Sequence, residues 1–461
     1  MGSPQSTSPR SQHRLQHRLQ HRGRLTGWLE YAPAPLFTLF VIFASFSTYF
    51  CMYAFRKPFS AAGYEGLSFL GTTVDLKTAL VISQIVGYAL SKVIGIKVCP
   101  EASRGHRAVG LVALIGIAQL SLLLFAVLPG NWKVLAIFCN GLPLGMVWGL
   151  VVWYLEGRRT SEMLLAGLSC SFIVASGVVK DVGRWFMTSA NVDQFWMPFV
   201  TGLCFLPPFL LAVWLLNQLP EPSAEDVAAR VERTTMDRRQ RWQFIRQFLP
   251  AMLLLVINYF FLTAYRDYRD NFGVEIFDAL GYGEDQSLIF TRSEIWVAVG
   301  VLGTLAALNL VKDNRRGLIG AFVIMVAGVM LLGGSTLMHD AGRIDGMTWM
   351  ILAGLGSYLA YVPYGSVLFD RLIASTRATG TAVFAIYVAD AIGYGGAITV
   401  LLTKDLIASD VSRLDFFRGL TYFMSLLGTL LLIGACVTLL TRHRHHRGPD
   451  IIPQPAAPNS P

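Results

Sequence analysis

Charge is what this sequence has little of. Only 15% of its 461 residues are Asp, Glu, Lys or Arg, against about a quarter in a soluble globular chain. That deficit excludes a soluble multidomain enzyme, and 54% hydrophobic residues exclude a disordered chain. Cysteine is sparse as well: six in the whole chain cannot form a disulfide framework. Cys51, Cys139, Cys170, Cys204 and Cys436 sit in apolar runs and Cys99 in a basic loop, so all six read as reduced thiols. The chain has no His-Glu-x-x-His pair for zinc, no phosphate-cradling P-loop and no nucleophile elbow. It therefore reads as a protein that is not an enzyme and carries no metal or cofactor.

What is abundant is long apolar sequence. A bilayer core about 30 Å thick needs roughly 20 apolar residues of helix. Twelve runs meet that need: Leu36–Phe59, Leu76–Ile94, Ala108–Leu128, Trp132–Leu155, Leu164–Phe186, Phe195–Leu216, Leu249–Phe272, Glu294–Leu310, Leu318–Leu337, Met347–Phe369, Thr379–Leu402 and Phe416–Leu440. The fold class is thus all-α, a polytopic membrane protein with twelve transmembrane helices.

Orientation follows from Lys and Arg in the short loops. The N-terminal tail holds Arg10, Arg14, Arg18, Arg22 and Arg24, and the even loops hold Lys97, Arg104 and Arg107, then Arg158 and Arg159, then Arg230 to Arg246, then Lys312, Arg315 and Arg316, then Arg371 and Arg377. The C-terminal tail adds Arg442, Arg444 and Arg447. The opposite loops are short or acidic, with Glu65, Asp75, Asp193, Asp278, Glu284, Asp285, Asp340 and Asp410. Both termini are expected in the cytoplasm, in a plasma membrane or, in a bacterium, the inner membrane. The net charge of +9 then marks the inner membrane face, and nucleic acid is not an expected partner. The first 31 residues are polar, without a signal-peptide pattern, and carry a near-repeat with His13, His17 and His21. This tail reads as a disordered basic segment near anionic lipid; metal binding by the three histidines is the alternative.

The longest polar stretch, Pro220 to Gln247, divides the chain into six spans before and six after. The expected layout is a cytoplasmic tail (1–31), a six-helix bundle (32–219), a charged cytoplasmic linker forming a surface helix (220–247), a second six-helix bundle (248–441) and a cytoplasmic tail (442–461). Six plus six with such a linker is the layout of the major facilitator fold, whose members hold substrate near the bilayer midplane and expose it alternately to each side.

Several segments support a narrower resemblance. Span 1 ends Tyr53-Ala54-Phe55-Arg56-Lys57-Pro58-Phe59, span 2 carries Tyr88-Ala89-Leu90-Ser91-Lys92, and span 4 carries Gly141, Gly145, Met146 and Trp148. Span 7 has Tyr265-Arg266 followed by Asp270, Asn271 and Phe272; later come Tyr361-Val362-Pro363, Gly380-Thr381-Ala382 and Gly393-Tyr394-Gly395-Gly396. In this order the segments resemble the organophosphate:phosphate antiporters, the glycerol-3-phosphate and hexose-phosphate transporters. The resemblance implies an antiporter for a phosphorylated organic anion, and it places Glu294 where that family has a Glu. The chain departs from the pattern at Phe172, where the family has a His, and at Asn271, where the family's Asp falls, with Asp270 beside it. Lys180, Asp181 and Arg184 in span 5 also have no counterpart there.

A charge at the bilayer centre costs about 2.5–3.5 kcal/mol on insertion scales, so it is expected to have a partner or a job. Arg56 and Lys57 fall late in span 1, and Arg266 and Arg269 late in span 7. With Lys92 and Lys180 they form the candidate substrate-binding set, since guanidinium groups bind phosphate or carboxylate through paired bonds. The plain alternatives are an Arg266–Asp270 pair at i, i+4 and snorkelling of Lys92 to headgroups. Asp181 and Arg184 are expected to neutralise each other, leaving Lys180 without a local partner. Glu294, Asp390 and Asp270 are the candidate coupling or charge-balancing acids. The expected function is a monomeric secondary transporter of a small organic anion, phosphorylated ones included. A proton-coupled carrier of neutral solutes and a transporter-like membrane sensor are the alternatives.

Overall fold

A computed structural model describes residues 24–101, 104–155, 161–221, 238–283, 288–369, 371–372 and 382–445. The N-terminal repeat, most of the expected linker and the end of the C-terminal tail lie outside these residues. Among the described residues the chain is helical, with a single isolated bridge between Ser68 and Asp75 as its only β pairing. A short helix α1 (Arg24–Tyr31) leads into α2 (Ala34–Tyr53), α3 (Leu76–Glu101), α4 (Arg104–Val127), α5 (Trp132–Leu155), α6 (Ser161–Thr188) and α7 (Met197–Asn217). Then follow α8 (Arg238–Asn271), the short α9 (Gly273–Ala279), α10 (Ile289–Asn309), α11 (Asn314–Asp340), α12 (Gly346–Pro363), α13 (Ala382–Leu406) and α14 (Arg413–His445). Ten of these are long and apolar enough to cross a membrane. The other two long helices, α6 and α13, carry Lys180, Asp181 and Arg184, and Asp390, Lys404 and Asp405. The five cysteines described, Cys51, Cys139, Cys170, Cys204 and Cys436, are free thiols.

Contacts group these elements into two compact units. The first holds α1 to α7, the segment Asp270–Leu302 with α9 and most of α10, and Leu402–Asp410. The second holds α8 as far as Arg269, the segment Gly303–Leu401 and the chain from Val411.

In the first unit α3 and α5 pack most extensively. Their crossing is set by glycine: a Cβ on Gly87 would stand 2.4 Å from the Phe138 carbonyl oxygen, and one on Gly141 2.5 Å from that of Gln84. In a membrane, where apolar surface gains nothing by leaving lipid, such close backbone approach is a main source of helix association. The second unit has the same device between α11 and α12, where a Cβ on Gly328 or Gly356 would stand 2.6 Å from the other's carbonyl oxygen. Helix starts are capped where the sequence supplies Asp: Asp313 accepts from the Arg316 amide at 2.7 Å and Asp345 from the Thr348 amide at 3.2 Å.

Two expectations from sequence require correction. The first span is not one helix to Phe59. Helix α2 stops at Tyr53, and a 3-10 turn covers Pro58–Ala61. Pro58 explains the stop: it lacks an N–H for the Ala54 carbonyl and its ring would clash there. The tenth span runs unbroken over Gly346–Leu368, its last turn, Tyr364–Leu368, being π-helical. Helix α8, in turn, begins at Arg238, inside the stretch expected to be linker.

Candidate functional site

The break after α2 exposes backbone carbonyls within the apolar part of the first unit, where each must find a donor. Two buried side-chain amides supply them. Asn140 of α5 donates to the Phe55 carbonyl at 3.0 Å and to that of Ala118 at 3.1 Å. Gln84 of α3 donates to the Arg56 carbonyl at 2.8 Å and to Asn140 Oδ1 at 2.9 Å. Arg56 and Lys57 are thus carried on a non-helical corner held by two other helices. Their side chains then diverge. The Arg56 guanidinium lies 4.1 Å from the Tyr88 ring centroid and 5.6 Å from that of Tyr53, within cation–π range. Lys92 lies 5.6 Å from the same Tyr88 ring.

Lys57 turns the other way and meets Asp270 at the end of α8. Its Nζ is 2.6 Å from Asp270 Oδ2 and 2.9 Å from Asn271 Oδ1. Lys180 of α6 reaches the same carboxylate, 2.6 Å from Oδ1, and also donates to the Asp270 carbonyl; Ser176 donates to Oδ1 as well. One carboxylate therefore bridges two ammonium groups whose side chains are 5% and 4% exposed. The group carries a net positive charge, with hydrogen bonds to both carboxylate oxygens. Charges removed from water persist only with such pairing.

Neighbouring charges make separate contacts. Asp181 makes no direct ion pair with Arg184. Its carboxylate accepts from the Thr291 amide at 2.6 Å and the Phe290 amide at 3.3 Å, capping the first turn of α10. Arg184 instead points to Asp278 at 3.9 Å. Glu294 lies against Gly177 of α6, where a Cβ would stand 3.1 Å from Glu294 Cγ. Lys77, at the start of α3, pairs with Glu275 of α9 at 2.5 Å.

In the second unit Arg266 does not pair with Asp270. It binds Asp267 at 2.7 Å and lies 4.0 Å from the Tyr361 ring centroid. Tyr361 stacks on Tyr259 at 5.2 Å, and the Tyr259 hydroxyl donates to Asp390 Oδ1 at 2.6 Å. Arg266, Tyr361 and Asp390 are each partly exposed, whereas Arg269 is buried and donates to the Met350 carbonyl at 2.9 Å.

Of the nine candidate residues, the first unit brings Lys57, Lys180 and Asp270 together and sets Arg56 and Lys92 about one tyrosine. The second links Arg266 and Asp390 through the Tyr361–Tyr259 stack and leaves Arg269 apart. Sequence reading did not single out Gln84, Asn140 or Ser176. Uncharged polar side chains inside apolar runs were their signal, as each needs a partner there.

These helices define a multi-pass membrane protein with a transporter fold. The solved structures it is similar to include a bacterial homologue of the human drug peptide transporters PepT1 and PepT2, at 12% identity over 88% of this chain and 98% of that one, with a TM-score of 0.59. A D-xylose–proton symporter is similar at 14% identity over 86% of this chain and 96% of its own, TM-score 0.59. The nucleoside transporter NupG is similar at 14% identity over 87% and 98%, TM-score 0.58. At such identities the likeness is one of fold. No curated protein matches the sequence. Residues 58–442 match the profile of a family described as one of unknown function, DUF5690, and the chain belongs to that family.

Proposed function

We propose that this protein is a secondary transporter that moves a small organic anion, such as a phosphorylated or carboxylated metabolite, across its membrane by alternating access. The observation that carries this reading is a partly exposed arginine over a tyrosine ring in each unit: Arg56 on Tyr88 and Arg266 on Tyr361. Stacking engages the face of a guanidinium, while carboxylate and phosphate are recognised along its edge, by paired bonds in the guanidinium plane. The substrate-binding residues proposed are Arg56 and Lys92 in the first unit and Arg266 in the second. Lys57 and Lys180 hold Asp270 and act on substrate through that carboxylate; Arg269 supports α12. Exchange of one anion for another, as in the antiporters the sequence resembles, is the mode proposed. The protein works as a monomer in a plasma or inner membrane, with both termini in the cytoplasm.

A second reading has its own support. The Tyr259–Asp390 bond places a carboxyl group among partly exposed residues of α13, the chemistry a proton-coupled carrier of neutral solutes would use. Ligand-induced thermal shift separates the two. Phosphorylated and carboxylated metabolites are expected to stabilise the purified protein, and Arg56→Ala or Arg266→Ala to abolish that stabilisation. Stabilisation by sugars or nucleosides alone, unaffected by either change, would overturn the anion reading in favour of the second.

A further inference from the structure

Tyr259 and Arg266 lie seven residues apart on α8, so their side chains leave the same face of the helix, two turns from each other. Tyr361 of α12 joins them. Its ring centroid is 4.0 Å from the Arg266 guanidinium carbon and 5.2 Å from the Tyr259 ring, which lies 22° from parallel to it. Tyr259 is held on its other sides. Its ring meets Tyr364 edge-on at 4.7 Å, and the Tyr364 hydroxyl accepts from Asn258 Nδ2 at 3.0 Å and donates to the Leu255 carbonyl at 3.0 Å. Gly393 of α13 approaches so closely that a Cβ there would stand 3.0 Å from Tyr259 Cδ1 and Cε1. The Tyr259 hydroxyl ends on Asp390, one turn earlier on α13, at 2.6 Å. Every link from Asp390 to Arg266 is thus a direct contact, and sliding either ring would break one of them. A guanidinium binds carboxylate or phosphate along the edge of its plane, so the tilt of that plane decides affinity. Nη2 of Arg266 is committed to Asp267 at 2.7 Å, and the flat contact with Tyr361 sets the remaining rotation.

We infer that Tyr361, Tyr259 and Asp390 are positioning residues for Arg266, with Asp390 acting as the acceptor that fixes the tyrosine stack. This inference rests on the anion-transporter reading and deepens it. Helix α13 then governs anion affinity through two rings, without Asp390 touching the anion.

The test is equilibrium binding of two probes, glycerol 3-phosphate and succinate, to the purified full chain and its variants. Tyr361→Leu is expected to weaken binding roughly threefold to thirtyfold, the range for one cation–π contact. Tyr361→Phe keeps the ring and should restore the affinity. Tyr259→Phe and Asp390→Ala remove the same hydrogen bond, so each should weaken binding, and the double variant no further than either alone. Asp390→Asn still accepts from Tyr259 and should bind as wild type does. Tyr259→Phe keeps every ring and serves where Tyr361→Leu does not fold. One comparison separates positioning from a general loosening of the fold. Added to Arg266→Lys, Tyr361→Leu should cost at most about twofold, because an ammonium has no plane to orient. Unchanged affinity in Tyr361→Leu, additive losses from Tyr259→Phe and Asp390→Ala, or the same loss in both Arg266 backgrounds would overturn the positioning role and leave anion transport standing. Binding of neither probe by a wild-type protein that sugars or nucleosides stabilise would overturn both.

Discussion

Replacing Asp270 by Asn is the most informative single perturbation of the buried charge group. In the native protein the carboxylate carries one negative charge between two ammonium groups, each 2.6 Å from one of its oxygens. Spanning a single carboxylate places the two nitrogens roughly 5 Å apart, and at an effective dielectric near 20 two like charges at that distance repel by about 3 kcal/mol. Asn keeps the size and one acceptor but removes the charge that offsets this repulsion. Lys57 and Lys180, 5% and 4% exposed, cannot recover hydration without opening the helices around them. Breaking a buried pair by removing one partner costs about 3–5 kcal/mol, in line with the Coulomb figure. The expected result is therefore a loss of about 3–5 kcal/mol for Asp270→Asn. Lys180→Met should cost less, because it leaves a neutral Lys57–Asp270 pair still bonded to Asn271 and Ser176. Adding Lys180→Met to Asp270→Asn should recover much of the loss, since one cation then remains where there were two. Thermal unfolding of the detergent-purified variants, followed by intrinsic fluorescence, gives the order. An Asp270→Asn variant as stable as wild type, or a double variant weaker than both single ones, would refute the claim that the carboxylate balances two buried cations.

Three further outcomes follow from the same geometry. Arg56→Lys keeps the charge but loses the planar fork and the flat contact with Tyr88, so anion affinity should fall by about 1–3 kcal/mol in equilibrium binding; unchanged affinity would show that Arg56 acts only as a charge. Asp390→Asn can still accept from Tyr259 but cannot exchange a proton. In the proton-coupled reading, accumulation driven by a pH gradient in vesicles should be lost in this variant; under the proposed exchange, anion counterflow should be kept, and a variant unchanged in transport and in its pH dependence would remove Asp390 from any coupling role. With the proposed orientation, basic loops in the cytoplasm, a cysteine introduced at Glu284 should be labelled in intact cells and one at Glu225 only after permeabilisation; the reverse pattern would invert the topology.

How much of this was legible in the sequence depended on whether the signal was local. Long apolar runs fixed the helices well, because a bilayer demands about 20 residues of them wherever they occur. The break after Tyr53 was masked by the apolar residues on either side, although Pro58 marks the point where an Ala54 carbonyl would go unserved. Arg56, Lys57, Arg266 and Asp390 stood out because a charge inside an apolar run is costly and conspicuous. Their partners did not: Lys57 is 214 residues from Asn271, and Tyr259 is 131 residues from Asp390. Local spacing suggested Arg266 with Asp270 and Asp181 with Arg184. The structure instead gives Arg266 to Asp267 and Asp270 to two lysines from other helices, while Asp181 caps α10. Helix spacing brings such pairs within reach, but tertiary packing offered each acid a better-desolvated or more numerous set of donors. Gln84 and Asn140 were missed for a related reason. The carbonyls they bind, at Arg56 and Phe55, lie 28 and 85 residues away in sequence.

The central claim, that this protein carries organic anions, is tested most directly by counterflow in liposomes containing only the purified chain. Vesicles loaded with an unlabelled organic anion and diluted into a trace of the same labelled anion should accumulate the label transiently, above its outside concentration, with no ion gradient imposed. Vesicles with Arg56→Ala or Arg266→Ala protein should not. Label entering no faster than into protein-free liposomes, with every phosphorylated and carboxylated compound tried, from protein that is folded and inserted would contradict it.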